Sequence, residues 1–444
     1  MSRMSRPPQA RWPLPRARLP RRNALLGGTT TRQDVAAALR CLASPGRLAD
    51  GPAVAAFERS FADRIGSRNA VSFAAGRVGL YGILRCLGIG AGDDVLVPVP
   101  THIVVANAVR YTGARPVYVD CDLASYNIDL ELARQLVTPR TRALLVQHTF
   151  GIAVDMAQAQ ALAGRSGLHL IEDCVHALGA TFGGRQAGTF GRAAFFSTEE
   201  TKTISTTMGG IVTTDDDALA GRLREFQLAC REPSASQAAR QLVKLVVYHA
   251  LTEPHAHVLA RAAYEASGRH HPLPRPVDAT EARGDRPADF TRRLSNGQAA
   301  VGLTQLAALA ANLAHRRSIA GQYQALLAPH GFRLPQPPPA ASPAFVRYPV
   351  WVDDRAATQR ALARRVVAGT WFTSVLEEAA DPRCAGYLPG SCPRAEEASR
   401  HLVNLPTHGR ISGADAEEIA RRVIAARRQR ARAGRPAGLP AQAV

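Results

Sequence analysis

Ser197-Thr-Glu-Glu-Thr-Lys202, followed by Met208-Gly209-Gly210, decides the reading of this 444-residue chain. The apolar run Ala193 to Phe196 before it is strand-like. A hydroxyl therefore stands at a strand end, an amine follows five residues later, and a glycine pair lies beyond. This arrangement suits pyridoxal phosphate, with the amine for the aldehyde and the hydroxyl for the phosphate. Lys202 and Lys244 are the only lysines among 55 Lys and Arg residues. A chain so biased toward arginine keeps lysine where a guanidinium cannot substitute, and bonding to an aldehyde needs an amine that can lose its proton. Chance is the plain alternative.

Two earlier stretches extend the set. Ile171-Glu172-Asp173 places a carboxylate at the C-terminal end of an apolar strand, the edge on which open α/β sheets bind ligands. A carboxylate there pairs with a pyridinium nitrogen and makes the ring an electron sink. Taken alone, Asp173 reads as a helix N-cap, and Lys202 tips the reading toward the cofactor. Phe73-Ala-Ala-Gly76-Arg77 runs from a strand through small residues into a helix. The free N–H groups and dipole of such a helix start suit a phosphate.

Outside these stretches the apolar pattern alternates. Helices are expected from Gly76 to about Leu87, over Ile103 to Tyr111, 129–137 and 155–164, and from about Asp216. Strands are expected at Ala70 to Phe73, Val95 to Val97, Pro116 to Val119, Ala143 to Val146, Leu168 to Ile171, Ala193 to Phe196 and Ile211 to Thr213. Apolar strands separated by helices predict an α/β fold with a mostly parallel sheet covered on both faces. A long helical pattern from Gln298 to about Leu327 opens a smaller C-terminal α+β domain, with strand-like Val346 to Val352 and the stretch Val403 to His408. The expected division is a basic tail over 1–24, a large domain over 25–231, an insertion over 232–289, a small domain over 290–426 and a second tail over 427–444.

Composition narrows the classes. The chain is 46% hydrophobic and 20% charged, without an apolar run of the ~18 to 20 residues that a membrane span needs. Its seven cysteines form no Cys-x-x-Cys pair, so neither a disulfide framework nor a metal site is expected, and a reducing cytoplasm fits. The net charge of +19 is concentrated at the ends, because residues 1–22 and 421–444 each carry seven Arg and no acid. Taking 14 from 19 leaves +5 for residues 23–420. The ends read as solvated tails with loose polyanion affinity, and residues 1–22 lack the apolar stretch of a secretion signal.

Within the insertion, the apolar piece Leu242 to Leu259 is interrupted by Pro254. It reads as an amphipathic helical hairpin packing on the body or on a second subunit, with a membrane-surface helix as the alternative. His249, Glu253 and His257 recur at four-residue steps, but Pro254 breaks that helix and surface residues are expected rather than metal ligands.

The sequence resembles the DegT/DnrJ/StrS family of sugar aminotransferases, which have the aspartate-aminotransferase fold, fold type I of pyridoxal-phosphate enzymes. The resemblance runs from about Gly51 to Arg422. It is carried by Gly51-Pro-x5-Glu58, Gly88-x-Gly90-x-Gly92-Asp93-Asp94-Val95, Pro98-x2-Thr101, Ala106-Asn107-Ala108, Gly113-Ala114-x-Pro116-Val117 and Asn127-Ile-Asp129. Further matches are Ile171-Glu-Asp173, Phe196-Ser197-x4-Lys202, Gly209-Gly210, Gln298-Ala-Ala-x-Gly302-x2-Gln305-Leu306 and Leu405-Pro406-x-His408.

The resemblance implies that Lys202 bonds the cofactor and moves the proton, that Asp173 holds the pyridinium nitrogen, and that Ser197 with the backbone of Gly76 and Arg77 takes the phosphate. It places His102 where an aromatic usually stacks on the ring and His176 near the ring's phenolic oxygen. Buried structural histidines are the bland alternative for both. Departures fall on the substrate side. Arg77 replaces the commoner Thr, Glu199 stands where many relatives have His, and Thr291 stands where Asn commonly reaches the neighbouring subunit's phosphate. The usual Tyr-x-x-Pro-Leu-His stretch is absent, and Gly369-Thr-Trp371-Phe372-Thr-Ser374 with Leu376-Glu377-Glu378 stands instead. Trp371 and Phe372 are expected to give the acceptor pocket an aromatic surface, or else to be core residues.

The expected activity is a pyridoxal-phosphate aminotransferase with an amino-acid donor, glutamate foremost, and a keto or aldehyde sugar as acceptor. A homodimer with shared sites is implied, without specific nucleic acid or a membrane span. Three rivals remain: a dehydratase of the same family, whose members have His at the Lys202 position; a pyridoxal-phosphate enzyme of another reaction class acting on an amino acid; and a nucleic-acid-associated protein led by the tails.

Overall fold

The structure, a computed structural model, describes residues 21–24, 28–266, 277–369 and 371–433. Of the tails expected at 1–24 and 427–444, residues 1–20 and 434–444 lie outside the described residues. Seven strands form the central sheet in the spatial order Asn69–Phe73, Gly210–Thr214, Ala193–Ser197, His169–Asp173, Thr141–Gln147, Asp94–Pro98 and Arg115–Val119. The last five are mutually parallel, and Gly210–Thr214 runs antiparallel to both of its neighbours. The helices Leu130–Gln135, Met156–Ser166 and Asp217–Ala229 start at the acidic N-caps Asp129, Asp155 and Asp216, whose side chains accept first-turn N–H groups.

Both faces of the sheet are buried, as the runs of apolar residues require. Val95, Val97, Leu145 and Phe195 pack on one side, and Leu96, Leu144, Val146 and Leu170 on the other. The two-residue alternation of a strand separates Val95 and Val97 from Leu96.

The helical pattern from Gln298 is two helices, Asn296–Ala307 and Leu309–Leu327, separated at Ala308. Gly302 seats the first against the Phe57 ring of the Ala53–Ile65 helix, where a Cβ would collide. The second helix and Gly413–Ala433 enclose a separate core around the antiparallel strands Arg347–Trp351 and Leu402–Pro406. Gly413–Ala433 carries the chain through the expected start of the C-terminal tail, so residues 427–433 are helical. Its Arg427 reaches the His330 carbonyl.

The expected hairpin is present as Ala235–Leu251 and Pro254–Ala266. Pro254 opens the second helix rather than interrupting one, because a first-turn proline sacrifices no helical hydrogen bond. Ala238, Leu242 and Leu245 pack on Ala37, Ala38 and Val301. His249 bonds Thr30 and Arg410, while Glu253 accepts the N–H groups of His255 and Ala256. His249, Glu253 and His257 therefore do not share one helix.

Candidate active site

Strand direction gathers the chemistry. His169–Asp173 and Ala193–Ser197 are parallel neighbours, so Asp173 and Ser197 emerge at the same C-terminal edge. A cavity of about 610 Å³ opens there. Its walls include Gly76, Arg77, His102, Asp173, His176, Ser197, Glu199 and Lys202, together with Arg347 and Trp371 from beyond the sheet.

The two acids of Ile171-Glu172-Asp173 have separate environments. Glu172 is consumed by the fold, accepting the N–H groups of Gly188, Phe190 and Gly191 and contacting His148 Nε2 at 3.1 Å. That network also accounts for the buried grouping of His148, Glu172 and Cys174. Asp173 accepts the Val175 N–H through Oδ1, but its Oδ2 is buried with no partner. Burial pushes the Asp173 carboxyl up to about 6, against the opposing charge of Lys202.

The helix Gly76–Cys86 begins at Ala75 without a side-chain cap, so its first N–H groups are left for another acceptor. A Cβ on Gly210 would run into the backbone of Ala75 and Gly76, which explains the bare glycine beneath this turn. Ser197 Oγ accepts the Glu199 N–H at 3.3 Å. Arg77 pairs at 3.0 Å with Glu281, a buried acid of the short helix Ala279–Ala282.

Lys202 Nζ lies 4.2 Å from the centroid of the Trp371 ring. The same ring meets Arg347 Cζ at 3.5 Å and stacks on the His176 ring at 4.4 Å. Burial lowers Lys202 to about 8; Arg347 lowers it further, while Glu199, Asp173 and Glu378 oppose the shift. Burial likewise holds His176 well below its usual value, so its ring is neutral, and its Nδ1 has no partner. The second lysine, Lys244, pairs with Glu200 at 2.9 Å.

His102 sits where Thr101–His102 pairs in parallel with Leu376–Glu377. Its Nε2 lies 3.5 Å from Glu378 Oε2, and Glu378 holds a left-handed backbone (φ 64°), a conformation that a non-glycine residue adopts at a cost. Glu199 Oε2 accepts the N–H and hydroxyl of Thr201. Trp371 and Phe372 both line the cavity, and Phe372 also packs in a buried cluster with Tyr126, Phe150, Ala398 and Leu402. Thr291 is not among the residues that line the cavity, and its carbonyl accepts the Arg231 N–H.

Arg347 escaped the sequence reading, and Glu378 figures there only as part of the replaced stretch, without a role. Arg347 is buried, its Nη2 lacks a partner, and no carboxylate among the described residues lies within ion-pair distance. Its one sequence signal is a charge at the head of the apolar strand Arg347–Trp351.

These residues fit pyridoxal phosphate: Asp173 offers an unsatisfied carboxylate oxygen, the uncapped helix start offers N–H groups over a glycine floor, and Lys202 offers an amine near neutrality. The architecture is fold type I of pyridoxal-phosphate enzymes. S. venezuelae DesV matches with a TM-score of 0.68 at 31% identity, over 91% of this chain and 95% of its own. The aminotransferase TlmJ from Streptoalloteichus hindustanus matches with a TM-score of 0.72 at 26% identity, over 93% of this chain and 100% of its own. The GDP-perosamine synthase of Caulobacter vibrioides is 31% identical over 386 residues, covering 86% of this chain and 92% of that protein. Residues 29–424 match the DegT/DnrJ/EryC1/StrS aminotransferase family, and the chain belongs to it. It is a pyridoxal-phosphate-dependent aminotransferase.

Proposed function

We propose that this enzyme moves an amino group from an amino acid, glutamate foremost, to a keto or aldehyde carbon of a nucleotide-linked sugar, in polysaccharide or secondary-metabolite biosynthesis. The observation that carries the reading is the juxtaposition of Lys202 Nζ, Trp371 and the partnerless Arg347 guanidinium in the cavity that also holds the unsatisfied Asp173 Oδ2. The similarity to a GDP-perosamine synthase supports a nucleotide-linked sugar as acceptor.

Bound pyridoxal phosphate supplies an electron sink for the amino carbon. Asp173, ionised, would hold the ring nitrogen protonated through its unsatisfied Oδ2. Ser197 Oγ and the N–H groups of Gly76 and Arg77 would hold the phosphate, above the bare Gly210. The His102 imidazole, whose Nδ1 accepts the Val104 N–H at 3.4 Å, would stack on the cofactor ring, and neutral His176 would serve its phenolic oxygen.

Lys202 is the base. With an amine near pH 8, it takes the proton from Cα of the donor and returns it on the other side of the transfer. Arg347 seats the donor's α-carboxylate, which relieves a guanidinium that is otherwise buried unpaired. Trp371 and Glu199 face the acceptor, the indole against a sugar ring or base. The working unit is a cytoplasmic homodimer with shared sites, and each chain divides into a large domain over 25–231, an insertion over 232–289 and a small domain over 290–426.

Purified protein loaded with cofactor, offered single amino acids and then keto-sugars while the cofactor absorbance is followed, tests this reading. Glutamate is expected to bleach the bound cofactor and a nucleotide-linked keto-sugar to restore it. Restoration by simple 2-oxo acids alone, with no response to any sugar, overturns the acceptor assignment.

A further inference from the structure

The hairpin Ala235–Leu251 and Pro254–Ala266 is apolar on two sides. Its inner residues Ala238, Leu242 and Leu245 are each 1% exposed. Its outer face carries Val243, Val247 and Leu251, exposed 48%, 42% and 47%, with Leu259 of the second helix exposed 73%. At 3.6 residues per turn, steps of four keep Val243, Val247 and Leu251 on one face, with exposed Arg240 a turn earlier. A surface helix with one buried stripe ordinarily presents polar residues opposite it.

A second observation concerns charge. The Arg22 N–H donates to the Pro254 carbonyl at 3.0 Å, and Asn23 is tied to Val366. Arg22, next to the first described residue, therefore lies at the start of the second hairpin helix. Residues 1–20 contain five arginines and no acid. The arginine-rich terminus and the apolar stripe are thus attached to the same element.

We propose that the outer face of this hairpin docks on an anionic lipid bilayer, with Val243, Val247, Leu251 and Leu259 entering the interface, Arg240 at its border and the five arginines of residues 1–20 adding charge attraction to the headgroups. Charge favours a bilayer over a second copy of the chain. A two-fold contact through this stripe would set Arg240 and two arginine-rich termini against their own images. An anionic surface is complementary to both features, as it is for amphipathic helices with arginine at their border. The attachment is peripheral, since no helix among the described residues is long and apolar enough to cross a membrane.

The test is co-sedimentation of the cofactor-loaded full chain with phosphatidylcholine vesicles, with and without phosphatidylglycerol. Binding is expected only with the anionic lipid, and it should fall about tenfold or more in Val243→Ser/Val247→Ser and in a chain lacking residues 1–20. The donor half-reaction should be unaffected in both. In the unmodified chain, hydrogen exchange over 240–262 should slow on anionic vesicles, a readout independent of any variant. The proposal is overturned by absence of anionic binding, by binding that survives the stripe substitutions, or by unchanged exchange on the vesicles. It is equally overturned if the stripe substitutions convert a dimer to a monomer by light scattering, which would make the face a contact between copies.

Discussion

Lys202 Nζ stands 4.2 Å from the centroid of the Trp371 ring. A cation over an indole is attracted to the ring quadrupole, yet the same indole keeps water from the amine. Desolvation wins here, because Lys202 is lowered to about 8 from 10.5. The chain thus keeps the amine close to its neutral, reactive form.

Trp371→Ala should open the amine to water and raise its pKa. The rate at which the cofactor-free protein takes up pyridoxal phosphate should then reach its plateau at a higher pH than in the parent. Acceptor KM should also rise, with the glutamate half-reaction at its own optimum changed much less. An unaltered pH profile together with an unaltered acceptor KM would remove Trp371 from both roles.

Stability and pH carry a second signature of Lys202. Its folded value of about 8 lies below the ordinary 10.5, so the folded chain binds fewer protons between those values and its stability rises with pH across that window. Lys202→Met lacks this contribution. In the cofactor-free protein, the parent should gain on the order of 3 kcal/mol relative to Lys202→Met between pH 8 and 10.5. Parallel melting curves for the two would show that the amine is not desolvated.

Asp173→Asn should act with opposite signs on stability and rate. The raised carboxyl, about 6 against 3.8, makes the folded chain bind more protons between those values, so its ionisation costs stability fully above pH 6. Asparagine still accepts the Val175 N–H and avoids that cost. The cofactor-free variant should be more stable at pH 7.5, by on the order of 2 kcal/mol. Losing a charge-assisted hydrogen bond of about 1.5 to 3 kcal/mol that matters in the transition state should lower turnover roughly ten- to a hundredfold. Near-normal turnover would mean the wrong carboxylate is assigned.

For Arg347→Met the expected effect is a donor KM raised about ten- to a hundredfold, from the loss of a charge-assisted hydrogen bond. The cofactor-free protein should be no less stable, since a buried unpaired charge is removed. Half-reaction kinetics with glutamate check this, and an unchanged donor KM would assign the α-carboxylate elsewhere.

What the sequence made legible was local. A strand that ends in Asp173, another that ends in Ser197 and a helix that starts at Gly76 are short stretches whose chemistry is carried by neighbours in the chain. The reversal of Gly210–Thr214 within the sheet left no trace, because an apolar strand reads alike in either direction. Arg347 and Glu378 meet Trp371 and His102 only after distant segments close over the sheet edge. The break at Ala308 falls among good helix formers, so no residue of the local sequence marks it. The hairpin reads as amphipathic in the sequence, and its second apolar face, with Val243, Val247 and Leu251, emerges only from the structure.

The central claim is that Lys202 is the group that bonds the cofactor. Borohydride reduction of the loaded protein, followed by a proteolytic map, tests it with only one competing lysine, Lys244, held by Glu200. The account predicts a reduced pyridoxyl adduct on the peptide containing Lys202 and none on that containing Lys244. An adduct on Lys244, or no adduct on a sample that has demonstrably bound the cofactor, would contradict it.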